Sequence, residues 1–301
     1  MNYKSYPDLY FALRGGGNNF GIVTRFDLTT HSQGLMWSGS LTYLDTYQTN
    51  LINAFVNYSA NAPQDPNAAL IFNFAYAEGL FLAVADIEYA TPTVNPPIFN
   101  DFLVVPNITE NLAVRSLPEV TELFQAVNPS GLRESYWTAT FLMTEDITTY
   151  LVNTFKEQVS TITTVTGLLP AIVLQVITTD MLNQMKKNGG NALGLSTAKG
   201  NLLLLNLSFM WENASDDAAV QAVLGAIVSK SIAYAKQTNV YHPYLYMNYA
   251  SQYQAVIPSY GSNNYQRLQQ VAEKYDPYGI FQELEPGYFK LSSSPPNPNF
   301  P

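Results

Sequence analysis

Apolar residues recur at every second position in several runs of this chain. That spacing restricts it to sheets with one face on a core and the other face turned elsewhere. The runs Ala69–Ala77 and Leu80–Tyr89 are the plainest pair, and Glu78-Gly79 between them is a hairpin signal. Further strands are expected near Tyr136–Met143, Ala171–Ile177 and Asn201–Trp211. Phe20–Leu28 also alternates, with Ile22, Thr24, Phe26 and Leu28 on one face and Val23, Arg25 and Asp27 on the other. Parallel strands, buried on both faces, would read as continuous apolar runs. The expected class is therefore α+β, an antiparallel sheet with helices on one face.

Helix signals lie between these runs. Ser5 can cap and Pro7 suits a first turn, ahead of Leu9, Ala12 and Leu13. Asp45 with Gln48 resembles a capping box before Leu51, Ile52, Phe55 and Val56, and this helix should stop before Pro63. Another helix should start at Pro118. The longest is expected over Glu145–Val165, where Leu151, Phe155, Val159 and Ile162 recur at three- and four-residue steps. A short helix should end at Gly189-Gly190. Ser215 should cap one carrying Val220, Leu224, Ile227 and Ile232, and the last should span Asn263–Tyr275. The tail Ser292–Pro301, rich in Ser, Pro and Asn, is expected to be disordered.

Composition narrows the partners. Charged residues make up 12% of the 301, against about 25% in an average soluble domain. The net charge of −9 repels phosphate backbones, and no cluster of Lys and Arg reverses that locally, so nucleic acid is not an expected partner. The run Leu202–Leu205 is far too short to span a bilayer, and no membrane is expected. The chain has no cysteine, which excludes disulfides, thiolate chemistry and Cys-ligated zinc. Sequons stand at Asn57, Asn107, Asn206 and Asn213. No apolar leader segment follows Met1, so an expectation of secretion requires a signal peptide upstream of it.

Two segments could carry chemistry. Asp8-Leu9-Tyr10-Phe11-Ala12-Leu13-Arg14-Gly15-Gly16-Gly17-Asn18-Asn19-Phe20-Gly21-Ile22-Val23-Thr24-Arg25-Phe26 packs four glycines between a helix and an alternating run. Such a loop lets backbone approach a ligand, or it is a plain turn. It is not a Walker A loop, and the helix precedes the glycines, unlike a dinucleotide fingerprint. Asn206–Trp211 could line a groove with amides and aromatics, or simply pack in a sheet.

The first of these segments resembles the stretch that ends the FAD-binding domain of berberine-bridge-type oxidoreductases, within the vanillyl-alcohol-oxidase-type flavoproteins. Tyr246-Met247-Asn248-Tyr249 resembles that family's Y-x-N-Y motif. Tyr260-Gly261, Tyr265, Leu268 and Lys274-Tyr275-Asp276-Pro277-Tyr278-Gly279-Ile280-Phe281 are similar to its ending, and Gly189–Leu195 to part of its substrate domain. The resemblance covers the chain almost end to end. It implies residues 1–34 as the terminal fragment of an FAD-binding domain and 35–245 as a substrate-binding domain. Residues 246–291 would be a segment returning to the flavin, and 292–301 a tail.

The implied function is oxidation of an alcohol or sugar-like small molecule by hydride transfer to FAD. Gly21, Ile22, Val23, Asn248 and Tyr249 would meet the cofactor. Tyr249 would be the catalytic base, with Gln175 and Tyr246 binding substrate. The family often places a carboxylate where this chain has Gln175. The family also attaches FAD through His, often with Cys, in an N-terminal domain. This chain has only His31 and His242, neither in such a context. The chain alone is therefore expected to be inactive. A truncated remnant without flavin and a glycan-binding module are the alternatives.

Overall fold

The computed structural model describes residues 2–126 and 128–296. Among them, nine strands form one antiparallel sheet. They are β1 Met36–Leu44, β2 Ala68–Ala77, β3 Leu80–Tyr89, β4 Thr109–Glu110, β5 Ala113–Arg115, β6 Arg133–Leu142, β7 Leu169–Ile177, β8 Leu202–Trp211 and β9 Tyr241–His242. The order across the sheet is β4-β1-β3-β2-β7-β8-β6-β9, with β5 beside β4 on β1. Every pairing is antiparallel. The hairpin β2–β3 forms as expected. Its turn residues Glu78 and Gly79 both have positive φ, at 51° and 84°, which matches the right-handed twist of the flanking strands.

The helices are α1 Pro7–Leu13, α2 Gln48–Asn61, α3 Asn100–Leu103, α4 Leu117–Ala126, α5 Glu145–Val159, α6 Thr179–Met185, α7 Asp217–Gln237, α8 Ser262–Tyr275 and α9 Ile280–Glu283. α2, α5 and α7 cover one sheet face. Phe55, Leu51, Phe155, Leu151, Leu224 and Ile227 meet Phe72, Phe74, Ile172, Leu205 and Phe209 there, all fully buried. Each such side chain contributes roughly 1.5–3 kcal/mol. By length and composition α7 could cross a membrane, but here Val220, Leu224, Ile227 and Val228 pack it into this core. A second, smaller core lies on the other face, where α1, α8 and the segment after β9 cover Leu202 and Leu204.

Several local expectations are corrected. Phe20–Leu28 forms no strand: residues 21–35 have no regular structure, and Ile22, Phe26 and Leu28 are exposed. A strand needs a paired neighbour for its backbone groups, and none of the described strands lies alongside. The sequence assigned no element to β1, whose apolar side is interrupted by Gly39. Ser5 does not cap α1, where Tyr6 holds the N-cap in a left-handed conformation. The Asp45–Gln48 box is not made. Asp45 pairs instead with Lys156 on α5, and Gln48 bonds Asn153. Asp216, not Ser215, precedes α7, and α5 ends at Val159. Residues 293–296 of the tail are coil, and 297–301 lie outside the described residues.

Candidate functional site

The site begins with the alternation of the central strands. On β8, Leu203, Leu205, Leu207, Phe209 and Trp211 enter the main core, so Leu204, Asn206 and Ser208 leave on the opposite face. The same rule puts Gln175 of β7 and Tyr136 of β6 on that open face. In register, Tyr136 stands opposite Ser208, Thr138 opposite Asn206, and Gln175 opposite Leu204.

Tyr249 stands over this patch. The chain after β9 makes one 3-10 turn, Met247–Tyr249, closed by Tyr249 N–H donating to the Tyr246 carbonyl at 2.9 Å. Side chains three apart eclipse in such a turn. The rings of Tyr246 and Tyr249 therefore meet edge to face at 4.8 Å. Tyr249 also contacts the Tyr136 ring at 6.3 Å and stands by the Gln175 amide, which lowers its pKa. It thus bridges β6 and β7, and Asn206 on β8 is the residue between those two contacts. Asn206 is buried, and its side-chain oxygen has no hydrogen-bond partner among the described residues.

Burial pushes the Tyr249 phenol above its ordinary value, and Tyr246 and Tyr136 add to that, while the hydrogen bond from Gln175 works the other way. Asn248 is exposed and donates to the Tyr246 hydroxyl at 2.9 Å. Gln175, Tyr246, Asn248 and Tyr249 are therefore brought together. Gly21, Ile22 and Val23 are not drawn into that cluster. They lie in the irregular segment, and nothing stands within 4 Å of where a Cβ on Gly21 would be. Gly17 is the glycine that adjoins the tyrosine turn, since a Cβ there would sit 3.1 Å from the Met247 sulfur.

The glycine loop is bolted to the C-terminal segment. Tyr260 donates to the Gly15 carbonyl at 3.0 Å, and buried Asn19 donates to Gly16 and Phe289 carbonyls at 2.7 and 3.0 Å. A Cβ on Gly15 would come 2.5 Å from the end of Leu193, and the φ of +122° there disfavours any side chain. Arg14 is spent on the carbonyls of Lys187, Asn188 and Met185. Asp8 accepts from Lys274 at 2.7 Å and from Tyr275 at 3.0 Å, and these bonds hold its carboxyl down to about 2. The two motifs read as separate in the sequence are thus one packed unit.

His31 is exposed, in the irregular segment. The His242 ring accepts from Tyr244 N–H at 3.2 Å, and burial lowers its pKa. Of the four sequons, Asn206 is buried in a central strand and cannot be reached in the fold, whereas Asn57, Asn107 and Asn213 are exposed. The Asn206–Trp211 run divides between core and open face. Tyr136 went unread in the sequence, and only strand register could have brought it forward. Asp86 and Glu88, the second and fourth letters of Ala85-Asp86-Ile87-Glu88, also lie on the open face. Their alternation with Ala85 and Ile87 is visible in the sequence.

The Tyr246–Tyr249 turn over the open patch is the surface this chain offers to a flat ring system, and Gly21 lies apart from it. Arg14 is occupied, and the cation at the glycine loop is Lys290, which donates to Asn18 Oδ1 at 3.1 Å and to the Phe281 carbonyl at 2.9 Å.

No family model matches the chain. It is 36% identical over 306 residues to FAD-dependent monooxygenase FUP4 of Fusarium proliferatum (strain ET1), covering 97% of this chain and 59% of that protein. It is 35% identical to FAD-dependent monooxygenase tpcD of Cochliobolus heterostrophus, covering 96% and 58%. Among solved structures, berberine bridge enzyme from Eschscholzia californica superposes with a TM-score of 0.66 at 13% identity, over 98% of this chain and 62% of that one. The 6-hydroxy-D-nicotine oxidase of Arthrobacter nicotinovorans gives 0.64 at 15% identity, over 96% and 62%. At those identities the likeness establishes the fold. The chain spans about six-tenths of the length of the curated relatives it matches first.

Proposed function

We propose that this chain forms the substrate-side wall of an FAD-dependent oxidoreductase that oxidises an alcohol or sugar-like small molecule. The observation that carries this is Tyr249, set between Gln175 of β7 and Tyr136 of β6, with the buried Asn206 amide on β8, the strand between those two. FAD, when bound, supplies the acceptor for the hydride leaving the substrate carbon. Tyr249 takes the proton from the substrate hydroxyl, and the Gln175 amide steadies the phenolate form. Tyr246 and Gln175 orient the substrate. Gly21, Ile22, Val23 and Asn248 are the residues of this chain offered to the cofactor. Secretion remains part of this reading, supported by the exposed sequons at Asn107 and Asn213.

Because the Tyr249 phenol is raised, it holds its proton at neutral pH, and kcat/KM should climb with pH through the neutral range without levelling. In the flavin-loaded protein, Tyr249→Phe should keep flavin absorbance and slow flavin reduction by roughly 10²-fold or more. Reduction as fast as in the parent would remove Tyr249 from the role of base. A second reading, oxygen insertion, is favoured by the names of the sequence relatives. Label from ¹⁸O₂ appearing in product would support it; peroxide release without label would support the oxidase.

A further inference from the structure

The open face that carries Gln175 and Tyr136 holds a polar group that the proposed chemistry does not use. Asn206 leaves β8 on this face, is 7% exposed, and its side-chain oxygen has no hydrogen-bond partner among the described residues. Its cross-strand neighbours do not supply a donor. Val173 stands opposite it on β7 and has none in its side chain. Thr138 stands opposite it on β6, and its hydroxyl is committed to the Leu205 carbonyl at 2.7 Å. Leaving a buried acceptor unpaired costs the desolvation of that group, so the position favours a ligand that brings a donor.

Register puts this amide in the middle of the candidate site. Gln175 faces Leu204 and Tyr136 faces Ser208, so the two residues that flank Tyr249 lie diagonally across from Asn206, one on each neighbouring strand. Diagonal neighbours on one face are within reach of long side chains. Gln175, Tyr136 and Tyr249 are each only partly buried, so the patch meets solvent at its rim. None of these groups is charged, which suits a neutral ligand. In the reaction proposed above, the reacting hydroxyl gives its one proton to Tyr249 and has none left for a second acceptor. The Asn206 oxygen only accepts. Its donor must therefore be another group on the substrate.

We infer that Asn206 selects substrates with a second hydroxyl, its side-chain oxygen accepting from that group while the first hydroxyl meets Tyr249. The inference rests on the reading of Tyr249 and names a diol, rather than a simple alcohol, as the substrate class. A site built around a buried acceptor rejects an analogue that lacks the donor far more strongly than an apolar pocket rejects a small change, because the acceptor is left unpaired in the complex.

Calorimetric titration of the purified chain tests it with phenylethanediol, its terminal methyl ether and 1-phenylethanol as probes. All of them share the hydroxyl that would meet Tyr249, and only the diol keeps a second donor. The diol should bind about tenfold or more tightly than either of the others. The ether retains the second oxygen as an acceptor, so an ether that binds as well as the diol would show that the amide offers its N–H groups and would overturn the inference. A diol no tighter than 1-phenylethanol, or no measurable binding of the diol, would overturn it too. Asn206→Leu should level the affinities, with circular dichroism confirming the fold, and a diol preference that survives in the folded variant counts against the inference. Should that variant unfold, the parent labelled with carbon-13 at the asparagine side-chain carbonyl supplies a second measurement. The Asn206 resonance should move with the diol and not with the ether, and equal movement or none would sink the assignment. Tyr249→Phe removes a contact common to every probe, so it should keep the ratio of affinities. Flavin reduction at the parent's rate in Tyr249→Phe, with the diol preference intact, would fail only the reading of Tyr249 as base. Slowed reduction in that variant, with no diol preference in the parent, would fail only the role of Asn206.

Discussion

At the scale of single residues, the contact that most controls the candidate chemistry is the one between Gln175 and Tyr249. An amide can donate to a phenolate, whereas a carboxylate in its place would add like charge beside the same oxygen. Burial already raises the phenol, and Gln175 is the one neighbour lowering it. Gln175→Glu should therefore raise the Tyr249 pKa further. Carbon-13 labelled tyrosine followed by NMR through an alkaline titration measures this, with Tyr249→Phe identifying the resonance. A fall in the pKa would show that the amide is not the donor. The residue types of Tyr246, Asn248 and Tyr249 were legible from their motif. Their meeting with Gln175, 71 positions earlier than Tyr246, was legible only as a resemblance, because nothing local records which strand a distant turn will cover.

At the scale of elements, alternation foretold five strands that have neighbours, missed β1, which also has them, and misled where no neighbour exists. The runs that became β2, β3, β6, β7 and β8 each lie between or beside partners that take up their backbone groups. The equally alternating run Phe20–Leu28 has no such partner and stays irregular. Hydrogen exchange should separate the two cases. Amides of Ile22–Gly34 should exchange with little protection, while those of Leu203–Phe209, paired on both sides, should open only near global unfolding. Comparable protection in the two stretches would mean that the irregular segment is ordered by contacts other than strand pairing. Capping was misread for a related reason. Asp45 has the right type and spacing for a box, but an available lysine on α5 outcompetes a local amide for its charge.

At the scale of the whole molecule, the sheet's open face determines how stability depends on pH. Burial lifts Glu88 from 4.5 to about 8, helped by Asp86, which is itself raised by burial. Asp65 and Asp180 beside Glu88 in one cavity, and Glu110 in the other, add no positive charge. At Glu88 the folded state binds more protons than the unfolded one over that interval, so its contribution to stability falls as pH rises from 4.5 toward 8, while His242, lowered by burial, contributes in the opposite sense. Urea unfolding at several pH values should show this decline. Glu88→Gln should flatten it and be the more stable protein at the alkaline end. An unchanged pH profile in Glu88→Gln would mean that the carboxyl is solvated. Asp8 contributes in the opposite sense: its stabilisation is present above the ordinary carboxylate range and is lost as pH falls toward about 2.

The sequence by itself determined the class of fold, the hairpin at Glu78-Gly79, the helices that follow a three-to-four spacing, and the motifs at both ends. These are local properties, set by which side chains can share a face within one run. Tertiary structure alone decided that Phe20–Leu28 would remain unpaired, that Asn206 would be buried on the strand between Gln175 and Tyr136, and that Asp86 and Glu88 would share a cavity with an apolar wall. Those outcomes depend on which strands become neighbours and what covers them. Pairing, burial and charge compensation are properties of surfaces assembled from distant parts of the chain, and no single run contains them.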